Sequence, residues 1–285
     1  MNGAIVITGV SSGIGRDALR VLHAKGYHIY GSIRKKADAD SLITKYPERF
    51  TPLVFDVQDQ EAVINASKIV FEYCTGLVAL INNAGIAVPG PLQHISEEDF
   101  EQQLDTNVKA VRRVTNIFLP LLGAQKNFKG SPGRIINISS VSGLFNSPFN
   151  GAYCISKHAV ESMTDTYRRE VRRYGIQVIA IEPGPIKTDI WQKSLNKLYQ
   201  FKDTDYFDIL KNANAIIERT EKEALPVEHI SKVILKCLDK KRPKTRYIVH
   251  KNRFLFKLLA YYMPDTLADW IIHKTLSKGD RHRPY

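Results

Sequence analysis

Short runs of apolar, mostly β-branched residues alternate with longer amphipathic segments from the start of this 285-residue chain to about residue 250. Several of these runs are apolar at every position, as is typical of parallel strands buried on both faces of a sheet. The predicted strands are Ala4 to Thr8, His28 to Ile33, Pro52 to Asp56, Val78 to Asn82, Arg134 to Ile138, Gln177 to Glu182 and Arg246 to His250. The predicted helices lie near residues 13–25, 59–74, 96–122, 151–174 and 227–239. This order predicts an α/β fold with a single doubly wound parallel sheet of the Rossmann type.

Two segments depart from the alternating pattern. An irregular insertion lies at about residues 186–226, and a basic amphipathic extension, expected to be helical, occupies residues 251–285. We therefore predict one domain over residues 1–250, with the insertion inside it and the extension after it.

The charge of the chain is concentrated near its end. Residues 240–285 carry 12 Lys or Arg and 3 Asp or Glu, a net charge of +9 out of +12 for the whole chain. A basic segment suits an anionic membrane surface or plain solubility as well as nucleic acid. We expect no nucleic-acid partner, because no surface that combines aromatic and basic residues is evident outside this segment.

The cysteines and the apolar segments indicate an intracellular protein. Cys74, Cys154 and Cys237 are far apart and form no CxxC pair, which favours a reducing compartment without disulfides or a metal site. The first residues enter an apolar strand without the pattern of a signal peptide, and no apolar stretch reaches 18 residues. We expect a cytoplasmic or peripherally membrane-associated protein without a transmembrane helix.

A glycine-rich turn follows the first predicted strand. It reads Thr8-Gly9-Val10-Ser11-Ser12-Gly13-Ile14-Gly15, and a predicted helix begins within it. Glycines at such a turn let the backbone approach a pyrophosphate, and the helix N-terminus then faces the anion. A turn of this composition at this position predicts a dinucleotide-binding site.

Tyr153 and Lys157 lie four residues apart in the segment YCISK. On a helix this spacing places a phenol and an ammonium group on one face. A neighbouring cation favours the phenolate and is expected to lower the phenol pKa, so the pair suits proton transfer. Alone, such a pair is common on solvated helices, and its weight comes from the motifs around it.

The motifs and their order resemble those of the classical short-chain dehydrogenases/reductases over about residues 3–250. The resemblance rests on TGVSSGIG at 8–15, Asp56-Val57, NNAG at 82–85, Asn107 in TNVKA, Ser140 in NISSVSG, YCISK at 153–157 and IEPGPIKT at 181–188. The stretch SPFNGAYC is similar to the hydroxysteroid and retinol dehydrogenase branch. The resemblance implies an oxidoreductase that interconverts an alcohol and a ketone or aldehyde on a lipophilic molecule such as a steroid or retinoid.

The end of the second strand predicts a preference for NADP(H) over NAD(H). Rossmann sites that select NAD carry an acid there, whereas an Arg accommodates the 2′-phosphate of NADP. This chain has Ile33-Arg34-Lys35-Lys36, so Arg34 is the leading phosphate ligand, with Ser11, Ser12 and Arg16 as helpers. The alternative is a solvated basic turn.

The resemblance assigns the remaining cofactor contacts to matching positions of this sequence. Asp56 would bind the adenine amino group, with Val57 beside it. The ribose next to the adenine would pass over Asn83, Ala84 and Gly85, and the nicotinamide would be held by Pro183, Gly184, Ile186 and Thr188. The full predicted cofactor set is Gly9, Ser11, Ser12, Gly13, Ile14, Gly15, Arg34, Asp56, Val57, Asn83, Ala84, Gly85, Tyr153, Lys157, Pro183, Gly184, Ile186 and Thr188.

The resemblance also implies four catalytic residues. Ser140 would bind the substrate oxygen, and Tyr153 would transfer its proton. Lys157 would lower the Tyr153 pKa and bind the nicotinamide ribose, and Asn107 would bind a water that connects Lys157 to solvent. The alternative function is a catalytically idle NADP-binding scaffold or redox sensor, which the intact set disfavours.

The two additions leave several interpretations open. The insertion is rich in aromatic and aliphatic residues, which suits an apolar substrate but also simple packing of a lid onto the domain. Its apolar residues are Ile190, Trp191, Leu195, Leu198, Tyr199, Phe201, Tyr206, Phe207, Ile209 and Leu210. The extension could contact a membrane peripherally, although we expect it to cover the cleft or pad the core. The family resemblance implies a homodimer or homotetramer formed through the helices at 96–122 and 151–174.

Overall fold

Seven parallel strands form one sheet in the order β3-β2-β1-β4-β5-β6-β7. A computed structural model describes residues 3–190, 198–210 and 222–276. The strands are β1 (Ala4–Ile7), β2 (His28–Ile33), β3 (Phe50–Val54), β4 (Leu77–Asn82), β5 (Arg134–Ile138), β6 (Gln177–Pro183) and β7 (Arg246–Val249). The strand order reverses between β1 and β4, which is where open α/β sheets bind their ligands.

Helices cover both faces of this sheet, as the doubly wound prediction requires. In the described residues they are α1 (Gly13–Ala24), α2 (Lys36–Lys45), α3 (Gln60–Tyr73), α4 (Glu97–Leu104), α5 (Ala110–Phe118), α6 (Gly151–Glu170), α7 (Phe207–Leu210), α8 (Glu228–Asp239), α9 (Arg253–Tyr262) and α10 (Asp265–Leu276). A π-helical turn, Asp105–Lys109, joins α4 to α5. None of the helices described is long and apolar enough to cross a membrane.

The core consists of two apolar layers, one on each face of the sheet. Ile5 and Ile7 of β1 belong to one layer, and Val6 between them belongs to the other. Successive strand residues point to opposite faces, so a strand buried on both sides must be apolar throughout. This explains the uninterrupted apolar runs in the sequence, and all seven predicted strands are confirmed to within two residues.

The helix prediction was wrong in three places. The sequence pattern gave no helix between β2 and β3, where α2 lies, because that segment is weakly amphipathic and its N-cap, Lys35, makes no side-chain capping bond. The single helix predicted at 96–122 is divided by the π-helical turn into α4 and α5, and Pro120–Leu122 is a separate 3₁₀ turn. The predicted helix at 151–174 likewise ends in a 3₁₀ turn.

The described part of the insertion packs onto the domain. Leu198, Phe201 and Leu210 form a small apolar cluster with Ile95 and Phe149. Trp191 and Leu195 lie outside the described residues. Packing therefore accounts for these three apolar side chains.

The described part of the extension covers little of the domain. Helix α9 has no buried residue, and α10 buries Ala268. No residue described after position 250 lines the cleft introduced below. The expectation that the extension covers the cleft or pads the core is therefore wrong for residues 251–276.

Candidate functional site

A cleft of about 540 Å³ opens at the carboxyl ends of the strands. It brings together nearly all of the predicted site residues, although they come from seven separate segments of the sequence. Those that line it are Gly9, Ser11, Ser12, Gly13, Ile14, Arg34, Asp56, Val57, Asn83, Ala84, Gly85, Ser140, Tyr153, Lys157, Pro183, Gly184, Ile186 and Thr188. Gly15 and Asn107 are buried and support the lining from behind.

The glycine-rich turn is held in a conformation that other residues would disturb. Gly9 has a φ of +73°, a left-handed conformation that favours glycine. A Cβ at Gly15 would collide with the carbonyl oxygen of Gly9 and with the Asn83 side chain. Gly15 therefore serves the site by letting α1 pack closely against the turn, although it does not line the cleft.

Thr8 and Asn83 tie the turn to the end of β4. The Thr8 hydroxyl accepts hydrogen bonds from the backbone N–H groups of Asn83 and Ala84, at 2.9 and 3.0 Å. The Asn83 amide donates to the carbonyl oxygens of Thr8 and Gly9, at 2.9 and 3.0 Å. These four bonds fix two cofactor motifs, 75 residues apart in sequence, as one rigid surface.

The N-terminus of α1 fits an anionic group. Its N-cap, Ser12, makes no side-chain capping bond, and both Ser12 and Gly13 line the cleft. The backbone N–H groups of a first helical turn and the helix dipole together favour a phosphate. A pyrophosphate therefore suits this end of the cleft.

Arg34 and Asp56 lie at the outer end of the cleft. Arg34 is exposed at the end of β2 and lines the cleft, whereas Arg16 donates a long hydrogen bond of 3.5 Å to the Ser11 carbonyl oxygen and is not part of the lining. The Asp56 carboxylate accepts a hydrogen bond from the Gln58 backbone N–H at 3.0 Å, which orients it.

The opposite end of the cleft is built from the carboxyl ends of β5 and β6 and the start of α6. Ser140 follows β5, and its hydroxyl accepts the Ser142 backbone N–H at 3.0 Å. Tyr153 lies on the first turn of α6 and hydrogen-bonds Ser140. The Lys157 ammonium group lies one turn further along, 5.6 Å from the centre of the Tyr153 ring, and donates to the Ile138 carbonyl oxygen at 2.9 Å.

Burial dominates the ionisation of these groups. It raises the pKa of Tyr153 to about 12, although the hydrogen bond with Ser140 opposes the change. It lowers the pKa of Lys157 to about 8, although the negative charge of Glu161 opposes that change. In the protein groups by themselves the Tyr153 pKa lies above its ordinary value, because desolvation of the phenolate is the largest effect. The lowering of this pKa by Lys157 stays a prediction from the family resemblance.

Asn107 lies in the π-helical turn, and both N–H groups of its side-chain amide donate hydrogen bonds within the protein. Its Nδ2 donates to the Ile86 carbonyl oxygen at 3.0 Å and to the Ser156 hydroxyl at 3.1 Å. Its Oδ1 accepts the Ile86 N–H at 2.9 Å. Neither N–H of this amide is left for a water, so the predicted role could involve only an oxygen of Asn107.

The segment after β6 closes the side of the cleft. Two backbone hydrogen bonds join this segment to Leu225. The Lys187 N–H donates to the Leu225 carbonyl oxygen, and the Leu225 N–H donates to the Pro185 carbonyl oxygen, each at 2.9 Å. A Cβ at Gly13 would lie 3.2 Å from Thr188 Cγ2, so the segment approaches the glycine-rich turn closely.

Sequence reasoning missed several residues of the lining. The Ser32 hydroxyl accepts the Gly9 N–H at 2.9 Å and so helps to shape the turn. Ser142, Ser147 and Asn150 line the end near Tyr153. A polar residue near the end of an apolar strand was the available signal for Ser32, whereas Ser142, Ser147 and Asn150 lie within the stretches NISSVSG and SPFNGAYC, to which the resemblance assigned no role at these positions.

Comparisons with known proteins agree with this geometry. The family model described as short chain dehydrogenase matches residues 3–198. The NADPH-dependent 3-dehydrocapnine reductase of Ornithobacterium rhinotracheale is 43% identical over 275 residues, which cover 96% of this chain and 97% of the relative. Human retinol dehydrogenase 16 is 32% identical over 94% of this chain and 87% of its own.

A solved structure supports the fold. A short-chain dehydrogenase from Streptomyces avermitilis superposes with a TM-score of 0.75 over 98% of both chains, at 22% identity. Since the family model spans more than half of the sequence and the relatives span nearly all of it, this chain is an oxidoreductase of the short-chain dehydrogenase family.

Proposed function

We propose that this protein is an NADP(H)-dependent reductase that interconverts an alcohol and a ketone or aldehyde on a lipophilic small molecule, with Tyr153 as the general acid and base. The observation that carries the proposal is the meeting of Tyr153, Ser140 and Lys157 with the glycine-rich turn in one cleft. An anion-binding helix end and a proton donor in one cleft match a redox reaction at a carbonyl group.

The cleft suits NADP(H) at both ends. The cofactor supplies the hydride, and its pyrophosphate would lie against the N-terminus of α1 beside Ser12 and Gly13. Arg34 would pair with the 2′-phosphate, and Asp56 would bind the adenine. The 43% identical relative is named as NADPH-dependent, which supports the same cofactor here.

The high pKa of Tyr153 suits proton donation. A phenol with a pKa of about 12 is protonated at neutral pH, which is the form required when a carbonyl oxygen gains a proton. Ser140, already hydrogen-bonded to Tyr153, would bind the same oxygen and stabilise the charge that develops on it. Lys157, in its ammonium form, would bind the ribose hydroxyls and stabilise the phenolate after the transfer.

The proton must then be replaced from solvent. We infer that an oxygen of Asn107, rather than its amide N–H groups, holds the water that connects Lys157 to solvent. The π-helical turn displaces the usual hydrogen bonding by one residue, since the Ala110 N–H bonds to the Asp105 carbonyl. Turns of this kind are frequent at functional sites.

The substrate is proposed to be lipophilic. The lining beyond Tyr153 includes Val88, Val141 and Ile190, and relatives are named for retinol, a 17-beta-hydroxysteroid and 3-dehydrocapnine. Apolar lining with a few polar anchors is what such ligands require.

A substrate screen tests this function. Purified protein with NADPH should oxidise the cofactor when steroid, retinoid or fatty ketones and aldehydes are added, and mass spectrometry should find the matching alcohol. Ser140→Ala should lower kcat by about 10²–10³, whereas Ser142→Ala, which alters the same wall of the cleft, should lower it little. NADPH binding without turnover of any substrate class would instead favour a cofactor-binding scaffold or redox sensor.

Two proposals concern partners. A homodimer or homotetramer formed through α4, α5 and α6 remains a prediction from the family resemblance, and light scattering of the purified protein tests it. The second concerns α9 and α10, which we infer contact an anionic membrane surface.

The surface of α9 and α10 supports that contact. Both helices expose large apolar side chains, namely Phe254, Leu255, Leu258, Leu259, Tyr261, Tyr262, Leu267, Trp270 and Ile271. Lys251, Arg253, Lys257 and Lys274 lie beside them, so the surface is both apolar and cationic. Short helices of this kind lie in the plane of an anionic interface.

Vesicle sedimentation tests the membrane contact. The protein should bind vesicles that contain phosphatidylglycerol and not vesicles of phosphatidylcholine only, and Phe254→Asp with Leu258→Asp should abolish binding without loss of activity. The membrane assignment would be contradicted if the double variant bound vesicles as well as the unmodified protein does. It would also be contradicted if the unmodified protein were a dimer that the double variant dissociates, because α9 and α10 would then form a dimer interface.

A further inference from the structure

A buried cluster of charged residues lies behind Lys157, away from the cleft. Glu161 and Asp165 follow Lys157 at successive turns of α6, Glu182 lies on β6, and Arg246 lies on β7. Glu182 is fully buried, and Glu161 retains 7% of its surface. Arg246 pairs with all three acids, at 2.9 Å from Glu161, 2.8 Å from Asp165 and 3.3 Å from Glu182.

Glu161 and Glu182 share one cation. Both carboxyl groups meet the guanidinium of Arg246, whereas Arg168 and Arg169 reach only Asp165, at 3.0 and 3.5 Å. Both Glu182 oxygens and the Glu161 Oε1 lack a conventional hydrogen-bond donor. Buried carboxylates without donors are costly, so a proton bound between two of them relieves both the repulsion and the unmet hydrogen bonding.

Glu182 is the member that carries this proton. Burial, followed by the charge of Glu161, raises its pKa to about 8, and the two carboxyl groups meet at the Arg246 Nε, which is 2.9 Å from Glu161 and 3.3 Å from Glu182. A protonated Glu182 would donate its O–H to the Glu161 carboxylate, which is paired with Arg246 at 2.9 Å. The pair then carries one negative charge instead of two.

The negative charge of Glu161 lies on the same helix as Lys157. Glu161 lies one helical turn after Lys157, and its negative charge raises the Lys157 pKa against the effect of burial. The other charged or titratable groups around the pair are Asp165, Arg168 and Arg169 on α6, Arg246 on β7, and Lys257 and Tyr261 on α9. Of these groups, Glu161 is the acid that acts directly on Lys157.

We propose that Glu161, with its charge fixed by Arg246 and by the proton shared with Glu182, is a positioning residue that keeps Lys157 in its ammonium form for the reaction. The proposal rests on the proposed function, since it assigns Glu161 to the same proton-transfer site. It also explains why an acid interrupts the otherwise apolar strand β6, where a hydrophobic residue would satisfy packing.

The pH profile of turnover gives the first test. In Glu161→Gln the upper limb of kcat/KM for ketone reduction should move to lower pH by one unit or more, because an opposite charge at about 4–6 Å shifts a pKa by about 1–3 units. Glu161→Asp keeps the charge and should restore most of the profile. Asp165→Asn is the matched control, because it removes another carboxylate partner of Arg246 that lies two helical turns from Lys157. This variant should leave the upper limb of the pH profile unchanged.

Two spectroscopic measurements do not depend on turnover. Protein with isotope-labelled lysine, assigned with Lys157→Met, should show Lys157 titrating at lower pH in Glu161→Gln than in the unmodified protein or in Asp165→Asn. Infrared spectra at neutral pH should contain a carboxylic acid C=O band that Glu182→Gln removes. This second measurement remains decisive if Glu161→Gln fails to fold.

The outcomes separate the two proposals. A Lys157 titration that moves as expected, in a protein that reduces no ketone, would support the positioning role and contradict the proposed function. Identical Lys157 titration in Glu161→Gln and in the unmodified protein would overturn the positioning role. The absence of a carboxylic acid band that depends on Glu182 would overturn the shared proton.

Discussion

Replacing Glu182 with Gln should change how the stability of the protein depends on pH. The folded-state pKa of Glu182 is about 8, raised by burial and by Glu161, whereas a free Glu has a pKa of about 4.3. A raised acid pKa contributes stability that is fully present below the unfolded value and is lost as pH rises through the folded value. The loss should therefore occur between about pH 4 and pH 8.

The magnitude follows from proton linkage. Within that window the folded state holds one more proton than the unfolded state, which costs about 1.4 kcal/mol of stability for each unit of pH. Between pH 5 and pH 7 the Glu182 contribution should fall by about 2–3 kcal/mol. Gln has a similar shape and donates a hydrogen bond as the protonated acid does, but it cannot ionise.

Urea unfolding at several pH values measures this effect. The difference in unfolding free energy between Glu182→Gln and the unmodified protein should grow in favour of the variant as pH rises from 5 to 7, since contributions from other groups cancel. Glu72→Gln, a change at an exposed acid of α3, should give parallel curves. Parallel curves for Glu182→Gln as well would refute the protonated state of Glu182.

Two further changes test the cofactor end of the cleft. Gly15→Ala should weaken NADPH binding at least tenfold and lower the melting temperature, because the added Cβ would collide with the Gly9 carbonyl oxygen. Fluorescence titration measures the affinity, and thermal unfolding measures the stability. An unchanged NADPH affinity would contradict the close packing at Gly15. Arg34→Glu should lower kcat/KM for NADPH by about 10–100-fold and much less for NADH, since hydrogen bonds to charged groups are worth about 1.5–3 kcal/mol. Lys36→Glu, at the first residue of α2, is the control, and an equal loss with both cofactors would exclude Arg34 as the phosphate ligand.

The strands and the cleft were predictable because the sequence carries strong local constraints there. A strand buried on both faces must be apolar at every position, and residues that follow such strands must meet at one edge of the sheet. The motifs from Gly9 to Thr188 therefore converge as expected. Helix α2 lacked both a strong apolar face and a cap, so its pattern did not distinguish it from a loop.

The missed features depend on contacts between distant segments. The π-helical turn at Asn107 forms where Gln103 and Asn107 both bond to the Ile86 backbone and to Ser156, which no local pattern reveals. The cluster around Glu182 joins α6, β6 and β7, and only the acid within an apolar strand hinted at it. The ionisation of Tyr153 depends on burial as well as on its neighbour four residues away.

The most direct test of the proposed reaction is a comparison of Tyr153→Phe with the unmodified protein. The substitution removes the transferable proton and leaves the ring, so NADPH affinity should stay within about twofold while kcat for ketone reduction falls by about 10²–10⁴. Stopped-flow measurement of NADPH oxidation, paired with fluorescence titration of NADPH, gives both numbers on one sample. A variant that keeps more than about a tenth of the original kcat would show that Tyr153 is not the general acid.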